Sequence, residues 1–167
     1  MVAGRETARL SGSDTVQGAV ETIEQYFDNG WTDGLPIVPP TVELVGRMLA
    51  ASGRDPMEVL GIIPPRMGVA TVEAVATNAA MAGCRPEYMP VVIAAVEAVL
   101  EESFDLRGLQ ATSDPAAPMV IVSGPVVEQV GINHGIGLFG HGSRANATIG
   151  RALRLIMVNL GGGHPDT

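Results

Sequence analysis

Residues 131–142 contain too many glycines for regular structure, and they lead directly into a segment with helical periodicity. Over about 147–160 the apolar residues fall on one helical face, and three glycines at 161–163 then end the pattern. Glycine permits positive φ and lets a backbone approach a ligand closely. We therefore expect a loop that ends at a helix N-terminus, where unpaired N–H groups favour an anion.

The rest of the chain alternates helical and strand-like patterns. Helices are predicted over about 15–28, 41–52, 71–82 and 87–102, and strands over 59–63, 106–111 and 119–122. Thr41 and Thr71 are the predicted N-caps of the second and third helices, and Gly83 is the predicted end of the third. Three prolines and a glycine predict a stiff, extended loop over 31–40. Strands separated by helices predict a single layered α/β domain with a small sheet and about five helices. We expect the domain over 14–163, between a flexible tail at 1–13 and a short tail at 164–167.

Length, charge and cysteine content restrict the class of protein. A chain of 167 residues fits one domain, and a net charge of -8 with dispersed basic residues argues against nucleic-acid binding. A single cysteine, Cys84, excludes an internal disulfide and fits a reducing compartment. No apolar run predicts a transmembrane helix, and the first residues lack the apolar core of a signal peptide. We expect a cytoplasmic protein with neither nucleic acid nor membrane as a partner.

The glycine-rich stretch over 131–150 holds most of the candidate site residues. His134 and His141 are candidates for acid–base catalysis near neutral pH, and Arg144 is a candidate clamp for an anionic group. Candidate substrate-binding residues in the same stretch are Asn133, Gly140, Ser143 and Asn146. The alternative is a structural loop in which Asn146 or Thr148 only caps the helix. The stretch lacks the Lys-Ser/Thr ending of a P-loop and the spacing of a dinucleotide fingerprint.

Metal binding by His134 and His141 stays open as an alternative. Their separation of seven residues in a flexible loop is no recognised ligand spacing. The sequence therefore identifies no cofactor.

Three candidate substrate-binding residues lie outside the glycine-rich stretch. Asp33, in the proline-rich loop, is either a turn residue or a positioned base. Ser123 and Arg66 each follow a predicted strand, and ligands in open α/β sheets bind at the carboxyl ends of strands. No Gly-x-Ser-x-Gly elbow marks Ser123 as a nucleophile. Cys84 has no nearby His or second Cys, so we expect a small buried residue there.

Four motifs resemble a family of bacterial proteins that accompany, or are fused to, a small domain named for a selenocysteine-Gly-Ser-Cys (UGSC) motif. They span residues 31–163: Asp33-Gly-Leu-Pro-Ile-Val-Pro-Pro-Thr41, Gly83-Cys-Arg-Pro86, Met119-Val-Ile-Val-Ser-Gly-Pro125 and Arg144-Ala-Asn-Ala-Thr-Ile-Gly-Arg151. The resemblance does not identify a reaction.

The chain departs from that family in three respects. The UGSC motif is absent, and family members continue beyond the glycines that match 161–163, which implies a second polypeptide. The family usually lacks histidine where this chain has His134 and His141, which implies a specialised loop.

The sequence leaves three hypotheses for function. The first is a subunit of a heteromeric enzyme that acts on a small carboxylate or carbonyl compound by lyase- or hydratase-like acid–base chemistry. The second is a non-catalytic scaffold whose methionine-rich apolar surface docks a catalytic chain. The third is a metal-dependent redox subunit. Expected partners are a small-molecule substrate and either a second protein subunit or further copies of the chain.

Overall fold

The computed structural model describes residues 16–114 and 116–164. The predicted tail at 1–13, the predicted start of the first helix and residues 165–167 of the predicted tail at 164–167 lie outside the described residues. The described part contains seven α-helices and a two-stranded antiparallel sheet, which makes a small α/β domain. One hydrophobic core contains side chains from Tyr26 to Leu160.

The first two helices begin the domain. Helix α1 (Val16–Asp28) buries Thr22 and Tyr26, and Tyr26 meets Trp31 edge-to-face at 5.2 Å between ring centroids. Helix α2 (Val42–Ser52) begins where the Thr41 hydroxyl accepts a hydrogen bond from the Leu44 N–H at 3.2 Å. A threonine that satisfies one free N–H of the first turn is a favourable N-cap, so the predicted cap is confirmed.

The sheet is a hairpin of β1 (Val59–Ile63) and β2 (Gly68–Thr71), with Ile63 opposite Gly68. The prediction of β1 is confirmed. We did not predict β2, because it has four residues and runs directly into the next helix. The Pro64–Pro65 peptide bond in the hairpin turn is cis.

Helix α3 (Val72–Ala82) lies at the centre and packs against α7, α2, α4 and β2. Every one of its residues except Glu73 is buried. Five of those residues are alanines, whose small side chains let neighbouring helices approach closely. The helix begins at its Thr71 cap and ends at Gly83, which has φ 88°, as the sequence predicts.

The predicted strand over 106–111 is wrong. A turn of 3₁₀ helix (Pro86–Tyr88), helix α4 (Met89–Leu100) and a second 3₁₀ turn (Glu102–Phe104) lead into a short helix, α5 (Leu106–Ala111). Asp105 caps α5 by accepting from the Gly108 N–H at 3.1 Å. Leu106 and Leu109 are three residues apart, so a helix turns both toward the core, which a strand would not do.

The predicted strand over 119–122 is also not part of the sheet, which contains only β1 and β2 within the described residues. Helix α6 (Val126–Val130) and the glycine-rich loop follow it, and helix α7 (Arg144–Asn159) closes the domain. Helix α7 begins three residues before its predicted start, because its N-cap is Ser143 and neither Asn146 nor Thr148. The Ser143 hydroxyl accepts the capping hydrogen bond from the Asn146 N–H. Its buried face includes Ile149, Leu153 and Ile156.

Candidate anion-binding site

The glycine-rich loop delivers the chain to the N-terminus of the sixteen-residue helix α7, as predicted. The Ser143 cap occupies the Asn146 N–H, while the N–H groups of Arg144 and Ala145 have no acceptor within 16–114 and 116–164. Free N–H groups and the aligned peptide dipoles give a helix N-terminus a partial positive charge. This end of α7 therefore favours a negatively charged ligand.

A cleft of about 450 Å³ opens at this helix start and is here called the basic cleft. The turn before α4, the end of α6, the glycine-rich loop and the start of α7 line it with Arg85, Tyr88, Val130, Gly131, Asn133, His141, Gly142, Ser143, Arg144 and Ala145. Its lining contains two arginines and no acidic residue. In a chain with net charge -8, such a concentration of positive charge favours an anion.

Arg144 is anchored at one end of its guanidinium group. Its Nε donates to the Gly83 carbonyl at 2.9 Å, where that glycine ends α3. Neither of its terminal nitrogens donates to an acceptor in the described part of the chain. A guanidinium held through Nε keeps its two Nη groups available for a carboxylate.

Arg85 is the other positive charge of the basic cleft. Its only ion pair among the described residues is with Glu87 at 3.7 Å, and both side chains are more than half exposed. An exposed pair of this kind holds the arginine weakly. Arg85 is therefore available to a ligand in the cleft.

The structure separates the two histidines of the loop. His141 lines the basic cleft and is exposed, with no hydrogen-bond partner in the described segments. His134 Nε2 lies 3.2 Å from Glu128 Oε1 outside that lining, and both side chains are exposed. Only His141 can therefore meet a ligand held by Arg85 and Arg144. Among the residues described, no group of three or more His, Cys, Asp or Glu could hold a metal ion.

Asn146 fastens the loop to α7. Its Nδ2 donates to the carbonyls of Asn133 at 2.8 Å and Leu138 at 3.0 Å. Its Oδ1 accepts from the Asn133 N–H at 2.8 Å and the Ser143 hydroxyl at 2.7 Å. These four bonds use both hydrogens and both lone pairs of the amide, so Asn146 shapes the site without a free group for a ligand.

Asn133 and Gly140 also form bonds within the loop. The Asn133 side chain accepts from the Gly135 N–H at 3.0 Å and donates to the Ile136 carbonyl at 3.2 Å, and Asn133 lines the basic cleft. The Gly140 N–H donates to the Gly137 carbonyl at 2.7 Å in a tight turn outside the lining. The predicted loop residues that the structure brings to the cleft are therefore Asn133, His141, Ser143 and Arg144.

Asp33 forms a bidentate ion pair with Arg151 of α7. Arg151 Nε and Nη2 each lie 2.9 Å from a carboxylate oxygen, and Nη2 also donates to the carbonyls of Leu35 and Pro36. Burial raises the pKa of Asp33, but the hydrogen bonds and charge of Arg151 outweigh it and hold that pKa below the ordinary value. Asp33 therefore fastens the proline-rich loop to α7.

Arg66 and Ser123 lie away from the basic cleft. Arg66 is in the hairpin turn, where its N–H donates to the Gly161 carbonyl at 2.8 Å. Ser123 is exposed at the edge of an apolar groove formed with α4. The sheet is an antiparallel hairpin that does not include 119–122, so no row of parallel strand ends unites these two residues.

Sequence reasoning missed Arg85, Tyr88 and a second cleft. Gly83-Cys-Arg carries a signal for Arg85, because a helix that ends at Gly83 places the next residues beside the start of a neighbouring helix. Cys84 between them is buried, which raises the pKa of its thiol to about 11.

The second cleft, of about 620 Å³, is lined by Arg154 and His164 together with Asp33.

Comparisons of the chain with protein-family models, curated proteins and solved structures find no match. Within 16–114 and 116–164, none of the helices has the length and apolar character needed to span a membrane.

Proposed function

We propose that the chain is a subunit of a heteromeric enzyme that acts on a small carboxylate or carbonyl compound, with lyase- or hydratase-like chemistry at the basic cleft. One observation carries the proposal. Arg144 is anchored through Nε to Gly83 and keeps both Nη groups available beside the start of α7, where Arg85 and His141 line the same cleft.

Each group in the cleft has a distinct role in this proposal. The arginines bind the carboxylate of the substrate, and the free N–H groups at the start of α7 stabilise the negative charge that develops on an enolate oxygen. His141 takes the proton from the carbon next to the carboxylate and then protonates a leaving hydroxide, which departs as water. The reverse sequence hydrates a double bond.

A second subunit enters the proposal because the basic cleft is open to solvent. Arg85, His141 and Arg144 are all exposed. Charge stabilisation in catalysis is strongest where water is excluded, so a cover from another chain would strengthen it. A cytoplasmic location is part of the same proposal.

Ligand binding tests the carboxylate site first. The purified chain would be titrated calorimetrically with small mono- and dicarboxylates, and inorganic phosphate would serve as a comparison anion. Loss of a charge-assisted bidentate contact costs about 1.5–3 kcal/mol, so Arg144→Ala should weaken carboxylate binding roughly 10- to 100-fold. Arg47→Ala is the matched control, because Arg47 is exposed on α2 away from the cleft. Equal affinity in the two variants would refute the role of Arg144.

Proton transfer by His141 is tested separately in deuterated water. A bound carboxylate should lose its α-proton signal in NMR spectra when the wild-type complex is present. His141→Gln should bind the carboxylate with unchanged affinity and abolish this exchange. His134→Gln is the control and should retain it, since His134 lies outside the cleft lining. Exchange that survives in His141→Gln would contradict the assignment.

The alternative of a non-catalytic scaffold has one observation in its favour. Large apolar side chains are exposed on the segment before α6 and in the glycine-rich loop, including Ile121, Ile136 and Phe139. A complex that keeps full activity in Arg85→Ala, His141→Ala and Arg144→Ala would favour the scaffold over the enzyme subunit.

A further inference from the structure

The longest part of the chain with little charge also carries several of the most exposed large apolar side chains. Between Asp114 and Arg144, Glu128 is the only Asp, Glu, Lys or Arg. In this interval Met119 is 67% exposed, Ile121 is 81% exposed and Phe139 is 84% exposed. Contiguous exposed apolar surface of this kind marks a site of protein association.

Residues 119–122 alternate in exposure as a β-strand does. Met119 and Ile121 face solvent, whereas Val120 and Val122 are partly buried against the core. No backbone N–H or C=O of these four residues forms a hydrogen bond with any other residue that the structure describes. Water can satisfy such backbone groups at the surface, but a strand-like segment with an open edge is also a template for pairing with another strand.

Two apolar grooves border the segment and leave room for a neighbour. One, of about 460 Å³, is completed by α4, and the other, of about 390 Å³, is completed by α7 and the loop at Leu138 and Phe139. Residues 119–122 have the pattern of a strand that packs against the core by one face only. A second strand would satisfy its backbone and cover apolar surface beside it.

We propose that residues 119–122 pair with the same segment of a second copy of this chain, as antiparallel strands about a two-fold axis. A second copy fits this segment as the occupant, because it presents a face that is equally apolar and nearly uncharged. Each chain carries a net charge of -8, so two copies approach with least repulsion through an uncharged face. A two-fold axis also sets each strand antiparallel to its copy and places the same apolar side chains on both sides.

Sedimentation equilibrium of the full chain at micromolar concentrations tests the dimer. Ile121→Lys places a charge on the pairing segment at an exposed position, so the fold should survive, as circular dichroism would verify. Met57→Lys is the matched control, because Met57 is 62% exposed in the turn before β1. Wild type and Met57→Lys should be dimers and Ile121→Lys a monomer. A monomeric wild type, or a dimer that persists in Ile121→Lys, overturns the proposal.

Amide hydrogen exchange distinguishes strand pairing from association by side chains alone. In the dimer, amides within 119–122 should exchange at least about tenfold more slowly than in the Ile121→Lys monomer. Fast exchange of all these amides in a wild-type dimer would overturn strand pairing. Equal protection in the monomer would also overturn it, because the segment would then pair within its own chain. Neither result depends on the basic cleft, so the dimer and the proposed function can be refuted independently of each other.

Discussion

The ion pair of Asp33 and Arg151 joins the loop after α1 to helix α7 across 118 residues of sequence, and its removal should destabilise the fold. The Asp33 side chain is 12% exposed and the Arg151 side chain 19% exposed. Breaking a fully buried pair costs about 3–5 kcal/mol. In Asp33→Ala the guanidinium keeps the Leu35 and Pro36 carbonyls as acceptors and has some access to water, so we expect about 2–3 kcal/mol.

The pH dependence of stability tests whether the ionised carboxylate of Asp33 is the source of this stabilisation. The pKa of Asp33 is lowered from its ordinary value of 3.8, so its contribution to stability is complete above about pH 4. It is lost as pH falls through the lowered folded-state pKa, because the folded protein then takes up the proton and the ion pair disappears. The difference in stability between wild type and Asp33→Asn should therefore be largest near neutral pH and shrink in acid.

Urea denaturation measures both effects. Trp31 is the only tryptophan and lies two residues from Asp33, so its fluorescence reports the loop, and circular dichroism reports the helices. A double-mutant cycle with Arg151→Ala isolates the coupling of the pair. The reasoning is refuted if Asp33→Ala stays within about 0.5 kcal/mol of wild type, which is the range for surface substitutions, or if its deficit is the same at every pH. Glu58→Ala removes one carboxylate partner of Arg54 whose side chain is 39% exposed, so it is the control and should have a much smaller effect.

Four further predictions concern two glycines, the hydrogen bonds of Asn146 and the thiol of Cys84. Gly68→Ala should destabilise by at least about 1–3 kcal/mol in urea denaturation, because its Cβ would overlap the Leu160 carbonyl. Gly46→Ala should stabilise by about 0.5–1 kcal/mol in the same assay, since its site in α2 is open and Gly is a poor helix former. Asn146→Leu should speed proteolysis within 131–142, because the four amide bonds are lost; unchanged cleavage would contradict its fastening role. Between pH 9 and pH 11 the wild type should lose up to about 2–3 kcal/mol of stability that Cys84→Ala does not lose, because the unfolded thiol ionises at its ordinary 9.0 and the folded one only at about 11.

Local signals in the sequence were sufficient for several elements of the fold. Thr41 and Thr71 cap helices through bonds to residues three positions on, so their neighbours alone reveal them. The start of α7 was misplaced by three residues because Ser143, Asn146 and Thr148 all lie in the region where a cap is plausible. The short run 106–111 is compatible with a strand or a helix. The Asp105 cap and the core contacts of Leu106 and Leu109 stabilise the helix.

Contacts distant in sequence limited the prediction of the site. Arg144 and His141 lie close together in sequence, and the structure places both in the basic cleft. Arg85 is 59 residues before Arg144 in the sequence, and the packing of α3 against α7 brings it to the cleft, which no local pattern predicts. Arg151, the partner of Asp33, is 118 residues away, so the proline-rich loop alone could not decide between a turn residue and a positioned base and did not reveal the ion pair.

Chemical-shift mapping of a bound carboxylate tests the basic cleft most directly. In NMR spectra of the isotopically labelled chain, a titrated small carboxylate should shift the backbone amides of Arg144 and Ala145, the ring of His141 and the guanidinium of Arg85. The same titration of Arg144→Ala should shift these signals only at roughly 10- to 100-fold higher ligand concentration. Shifts confined to the cleft of Arg154 and His164, or no saturable shift at the start of α7, would contradict an anion site at this helix.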